Sequence, residues 1–161
     1  MRRDKENYYL DIAETVLERG TCLRRNYGAI IVSSDEIIAT GYTGAPRGRE
    51  NCLDLKYCTR TLQNIPRGTQ YEKCRSVHAE ANAIISASRR DMIGSTLYLV
   101  GKEKEGGDYV KGGNSCMMCK RMIINAGIET VVIRDDSNSY RKVSVMAWVL
   151  DDDSLSTQSG Y

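Results

Sequence analysis

The chain has 161 residues, 41% of them hydrophobic and 27% charged, with a formal charge of +2. That length suits one domain with a core of its own, and the near balance of acids and bases excludes a surface built to coat nucleic acid, leaving room only for a local basic site. No apolar run approaches the roughly 20 residues of a membrane span, and the opening MRRDKENYYL lacks the apolar stretch of a secretory signal; a cytoplasmic location is expected, where six cysteines serve as metal ligands or buried thiols rather than disulfides.

The first segment, DKENYYLDIAETVLERG, places Tyr9, Ile12, Ala13, Val16 and Leu17 on one helical face, with Gly20 as the stop. YGAIIV and EIIATGY are β-branched runs separated by SSD and predict a hairpin. From 44 to 71 the periodicity lapses in a stretch that holds both prolines and two cysteines. A loop of that length in a compact domain is either functional or tied down. A helix is expected over 76–90, with Ala81, Ile84, Ile85 and Ser88 on one side. TLYLVG reads as a strand, KEKEGGDYVKGGNS as a polar loop, and CMMCKRMIINAG as a helix closed by Gly127. TVVIR reads as a strand and VSVMAWVL as a helix carrying Val143, Met146, Ala147 and Leu150. The acidic, serine-rich residues 151–161 predict a flexible tail after a domain spanning 1–150. The resulting order, α-β-β-α-β-α-β-α, places a helix between successive apolar strands and so predicts a parallel crossover. The fold class is α/β: a three-layer α-β-α domain on a mixed sheet of about five strands, four of which can be identified.

The chemistry concentrates in two places. CRSVHAEANAII contains His78, the single histidine, with Glu80 two residues on. Cys116 and Cys119 stand at i and i+3 at the start of a later helix, where the helix dipole favours thiolates. If the two helices begin side by side, His78, Cys116 and Cys119 converge on a tetrahedral zinc and leave one position open, the layout of a catalytic site. Glu80 then serves as the group that moves protons. The competing reading is two buried thiols and a structural histidine.

HAEANAI followed by CMMCKRMIINAGI resembles the zinc-dependent cytidine and deoxycytidylate (dCMP) deaminase superfamily, whose signature is H-x-E with a later P-C-x-x-C. The resemblance implies a cytidine-deaminase-like fold and a catalytic Zn2+ on His78, Cys116 and Cys119. It also implies zinc-bound hydroxide as the nucleophile at C4 of cytosine and Glu80 as proton shuttle. The family's proline before the first cysteine is Ser115 here, a residue suited to cap a helix starting at Cys116. TCLRRNYGAIIV, IIATGYTGAPRG, HAEANAIISA and SCMMCKRMIINAGI occur in the order of dCMP deaminases, with Thr43 where the family carries asparagine. By that resemblance Arg25, Asn26, Thr43 and Ala79 bind substrate. Gly41, Tyr42, Gly44, Arg47 and Gly48 form a regulatory loop for dCTP or dTTP with Mg2+, and the assembly is a hexamer.

Four further thiols, Cys22, Cys52, Cys58 and Cys74, surround the long loop and suggest either a structural zinc held by cysteines alone or scattered buried cysteines. The functions in competition are a dCMP deaminase, a deaminase of another nucleoside or aminated base, and a non-catalytic zinc-binding regulatory protein. A tRNA adenosine deaminase calls for a more basic face, and a thiol–disulfide oxidoreductase needs no H-x-E.

Overall fold

Asp4 accepts the Asn7 backbone N–H at 3.0 Å and so starts α1 (Lys5–Leu17) in the computed structural model, which describes residues 1–152. Tyr9, Leu10, Ala13 and Leu17 are buried along one face of α1, flanked by half-buried Ile12 and Val16. β1 (Arg25–Ser33) and β2 (Glu36–Tyr42) form the predicted hairpin. Its turn residues Ser34 and Asp35 have φ of 51° and 63°, the left-handed pair that matches the twist of the two strands.

The segment between β2 and the His78 helix is not structureless. It contains two single-turn helices, α2 (Cys52–Leu55) and α3 (Thr59–Leu62), and a 3₁₀ turn at Tyr71–Lys73. Its ends are pinned together by paired backbone bonds between Gly44 and Val77, at 3.2 and 2.7 Å. The helix expected over 76–90 is two helices, α4 (Ala79–Ile85) and α5 (Arg89–Met92). The first ends at the C-cap Ser86, Ser88 caps the second by accepting the Asp91 N–H, and Ile85 is 75% exposed. After β3 (Thr96–Glu103), α6 (Met117–Ala126) and β4 (Thr130–Arg134), the expected last helix begins late. Residues Tyr140–Ser144 form a fifth strand, β5, and only Val145–Leu150 are helical, as α7. Of the expected tail, all but residues 151 and 152 lies outside the described residues.

The sheet order is β2-β1-β3-β4-β5, antiparallel except for the β3–β4 pair. Helix α1 covers one face through Ile30, Val32, Tyr98, Val100 and Val132. On the other face Ala29, Ile31, Leu97, Leu99, Val131 and Ile133 meet Ala79 and Ala83 of α4 and Cys119, Ile123 and Ala126 of α6. This is the three-layer α/β architecture. Two glycines permit its closest approaches: a Cβ on Gly28 would lie 2.1 Å from the Ala13 carbonyl oxygen of α1, and one on Gly41 would lie 2.3 Å from the Ala79 carbonyl oxygen of α4. No helix among the described residues is long and apolar enough to cross a membrane.

Topology places the site. β2 and β3 are both antiparallel to β1, so they are parallel to each other and finish at the same sheet edge. The chain leaving β2 returns to begin α4, and the chain leaving β3 begins α6. Both helices therefore start at that edge, where β1 also contributes its first residues.

Beneath α1 lies a charged core. Arg134, 2% exposed, donates to Glu14 at 2.8 Å and to Asn7 at 3.0 Å and pairs with Asp11 at 2.8 Å. Glu14 also accepts from Tyr109 at 2.8 Å and from Lys102 at 2.5 Å, tying α1 to β3 and its following loop. Burial pushes the Glu14 carboxyl up, but hydrogen bonds from Lys102, Tyr109 and Arg134 outweigh it and hold it below the usual range. Glu14→Ala leaves the Arg134 cation short of a partner and is expected to destabilise the fold by about 3 kcal/mol in urea unfolding. Because the carboxyl is depressed in the folded state, this contribution is present above the ordinary carboxylate pKa and fades as pH falls below it, so the wild-type advantage over the variant shrinks below about pH 4.

Candidate functional site

His78 is the N-cap of α4 and Cys116 the N-cap of α6, each with extended backbone (φ −68° and ψ 152°; φ −68° and ψ 167°). The cap of α6 is thus Cys116 itself, not Ser115 as the sequence suggests. Ser115 is buried, and its hydroxyl acts on the Glu80 carboxyl, whose charged form it favours. Extended caps turn both side chains out over the helix starts, and Cys119 rises from the first turn of α6 to meet them. His78 Nδ1 lies 3.4 Å from Cys116 Sγ and 3.5 Å from Cys119 Sγ. All three ligand atoms lie within 4.8 Å of one another, the one such group among the described residues.

These residues fit zinc. Tetrahedral bonds of about 2.1 Å to nitrogen and about 2.3 Å to sulfur separate the two ligand atoms by roughly 3.6 Å, close to the spacings found. The Cys116 thiol is drawn down to about 4, first by the Cys119 thiol that donates to it and, against burial, by His78. Cys119 is pushed the other way, by that same donation and by burial. Two sulfurs that share one proton in this way are poised for a dication that takes both as thiolates. Glu80, one residue inside α4, is 4% exposed, and burial pushes its carboxyl above the usual range. A buried carboxyl whose neutral form is favoured in this way is suited to taking up a proton and passing it on.

One pocket opens from this cluster, and Arg24, Arg25, Tyr27, Thr43, Arg60 and Arg67 are among its walls. Along β1 the side chains alternate, so Arg25 and Tyr27 face the pocket while Asn26 faces away. Asn26 accepts the Cys22 N–H at 2.9 Å and donates to the Cys22 carbonyl at 3.1 Å, which shapes the turn before β1 rather than the substrate wall. The Thr43 hydroxyl accepts the Tyr27 N–H at 3.0 Å. The Ala79 methyl is fully buried in the core. Glu103 pairs with Arg25 through both Nε, at 3.0 Å, and Nη2, and it lies 3.7 Å from Arg67.

Three of the expected regulatory residues, Gly41, Tyr42 and Gly44, take part in the packing and hydrogen bonding around α4. Gly41 lets α4 approach β2, and Gly44 carries the bridge to Val77. Asn82 donates to the Tyr42 carbonyl at 2.8 Å, and Arg47 and Gly48 are exposed. Cys22, Cys52, Cys58 and Cys74 are neighbours whose charges act on one another, although their sulfurs do not close to ligand spacing. Three of these sulfurs accept nearby backbone N–H groups: Cys22 from Arg24 at 3.4 Å, Cys58 from Thr61 and Cys74 from Ser76.

The model of the cytidine and deoxycytidylate deaminase zinc-binding region matches residues 3–135. Deoxycytidylate deaminase of Mycobacterium phage D29 is 35% identical over 141 residues, which are 84% of this chain and 98% of that protein. The Schizosaccharomyces pombe deoxycytidylate deaminase is 29% identical over 83% of this chain, which spans only 38% of that relative's length. In fold, the dCMP deaminase of cyanophage S-TIM5, solved in complex with dCMP and dUMP, aligns with a TM-score of 0.55 at 24% identity, over 84% of this chain and 85% of that one.

Proposed function

Because the chain belongs to the cytidine and deoxycytidylate deaminase family, we propose that it converts dCMP and water to dUMP and ammonia. The observation that carries this reading is a single pocket joining the His78–Cys116–Cys119 cluster and Glu80 to Arg24, Arg25, Arg60 and Arg67. Arg24, Arg25 and Arg67 on that wall, against Glu103 as their acidic neighbour, suit a nucleoside that carries a phosphate. His78, Cys116 and Cys119 would hold the zinc, which would supply a water acidic enough to act as nucleophile near neutral pH. Glu80 handles the protons. Its carboxylate takes one from the attacking water and delivers it to N3 of cytosine. It then takes the second and delivers it to the 4-amino nitrogen, which departs as ammonia while the C4 carbonyl forms. Arg25 serves the phosphate, Thr43 fixes the Tyr27 backbone beneath the substrate, and Ala79 can contribute only its backbone.

The test is ammonia release from dCMP, deoxycytidine, CMP and dCTP. Loss of the 5′-phosphate forfeits charge-assisted bonds worth about 1.5–3 kcal/mol each, so kcat/KM for deoxycytidine should fall at least about 100-fold below that for dCMP. Equal turnover of the two would remove the phosphate from the reading. The same assays with dCTP or dTTP and Mg2+ test the effector site proposed around Arg47 and Gly48. A hexamer is proposed on the family resemblance, supported by exposed Ile85, Ile93, Met146 and Leu150, and light scattering weighs it.

A second, structural zinc belongs to the same proposal. Against burial, hydrogen bonds from Thr61 and Arg60 hold the Cys58 thiol below its usual range, the four cysteines lie in or beside an insertion with little core of its own, and a metal drawing them together would offset its ordering entropy. Such a thiol set belongs in a reducing, cytoplasmic setting.

A further inference from the structure

Arg60 sits in the 43–78 insertion, 4% exposed, and its guanidinium is spent on backbone carbonyls. Nη1 donates to Thr69 at 2.6 Å and to Gln70 at 2.8 Å, and Nη2 donates to Pro66 at 3.0 Å. The same group lies over the Tyr71 ring, with its central carbon 4.6 Å from the ring centroid. Tyr71 in turn meets the His78 imidazole edge-on, with centroids 5.0 Å apart and planes at 78°. Arg60, Arg67, Tyr71 and His78 all border the substrate pocket.

Within the gathered stretch itself Thr69 donates to the Pro66 carbonyl at 2.9 Å, and Arg60 supplies three further bonds. Gln70 has a φ of 50°, a left-handed backbone that a residue of its kind keeps only when its surroundings impose it. A planar guanidinium can satisfy three carbonyls at fixed angles while its face stacks on a ring. A lysine ammonium offers neither the fork nor the face.

We propose that Arg60 is a positioning residue that folds 63–71 into the outer wall of the pocket and seats Tyr71 against His78. One buried cation then fixes both the wall that meets the nucleotide and the ring of a metal ligand. In the sequence Arg60 stands in an aperiodic stretch, with nothing nearby to distinguish it from a solvated arginine.

The test uses zinc-loaded Arg60→Met and Arg60→Lys with Tyr71→Leu and Tyr71→Phe, in three measurements. Tryptic cleavage after Arg67, located by mass, should be at least about tenfold faster in both Arg60 variants, because the wall opens locally without global unfolding. KM for dCMP should rise about tenfold in both, with a smaller fall in kcat, since substrate binding loses its wall while Glu80 and the ligands remain. Loss of zinc to a chelator should be about tenfold faster in Tyr71→Leu, the order of effect expected for a group that orients a ligand, and Tyr71→Phe should restore the wild-type rate. Wild-type cleavage and KM in Arg60→Met would overturn the clasp, and equal zinc loss from Tyr71→Leu and wild type would overturn the seating. The kinetic arm rests on the dCMP reading, whereas cleavage and chelation need no substrate. A wild-type protein inert toward dCMP but showing both of those differences would refute the substrate and leave the positioning role standing.

Discussion

Glu80→Gln is expected to lower kcat for dCMP by at least about 10³-fold, toward the upper end of what general acid–base groups contribute. The size follows from one carboxyl being used twice, once at N3 and once at the leaving amine. Glutamine keeps the shape and can still accept a hydrogen bond, but it cannot carry a proton from the water to either nitrogen. Burial of Glu80 removes the simplest substitute, because bulk water has little access to the same position. The zinc content of the variant should match wild type, since His78, Cys116 and Cys119 are untouched and Glu80 is not one of the three ligand-spaced groups. Fold and thermal stability should hold or improve slightly, as an ionisable group leaves a buried site. Measured kcat within tenfold of wild type, at full zinc, would show that protons travel by another route.

The metal cluster was legible because its spacing is local. Two cysteines three apart at a helix start, and a histidine two before a glutamate at another, are patterns within a few residues each. Only their meeting needed the fold, and the common direction of β2 and β3 supplies it. The substrate wall was not legible for the opposite reason. Arg60, Arg67 and Tyr71 reach the pocket from an aperiodic insertion whose path is set by backbone carbonyls. The Arg25–Glu103 pair depends on strand register across 78 positions. One miss was avoidable. Once Arg25 is placed on the site, the period of two along a strand assigns Tyr27 to it and Asn26 to the opposite side.

The misread elements have similar causes. β5, YRKVS, is an edge strand with little apolar content, and it runs into α7 with no intervening turn residue. Val143, Met146, Ala147 and Leu150 therefore fell on a helical period by coincidence; Met146 and Leu150 are 58% and 80% exposed, and the buried residue of α7 is Val145. At 88 the helical period places Ser88 on the side of Ala81, Ile84 and Ile85, whereas Ser88 is a cap.

Fully loaded protein is expected to hold two zinc ions per chain, and the two should fail differently. Cys119→Ala removes the fully buried sulfur of the His78–Cys116–Cys119 cluster, the site proposed to generate the nucleophile. It should cost one zinc and at least about 10³-fold in kcat, since the nucleophile is generated there, and it should shift the melting temperature only modestly because α6 packs through Ile123 and Ala126 regardless. Cys58→Ala should also cost one zinc, but its damage is to order. The 51–75 insertion joins the core through few apolar side chains, and a metal that closes it supplies folding energy directly. The expected signs are a melting temperature lower by about 5 °C or more and rapid proteolysis within the insertion. KM for dCMP should rise with it, because Arg60, Arg67 and Tyr71 ride on that segment. A count of one zinc per chain in fully loaded wild type would eliminate the second site, and the insertion would then rest on the Gly44–Val77 stem and the Arg60 clasp. That alternative carries its own signature: Cys58→Ala would leave zinc content and melting unchanged while Arg60→Met alone opened the loop.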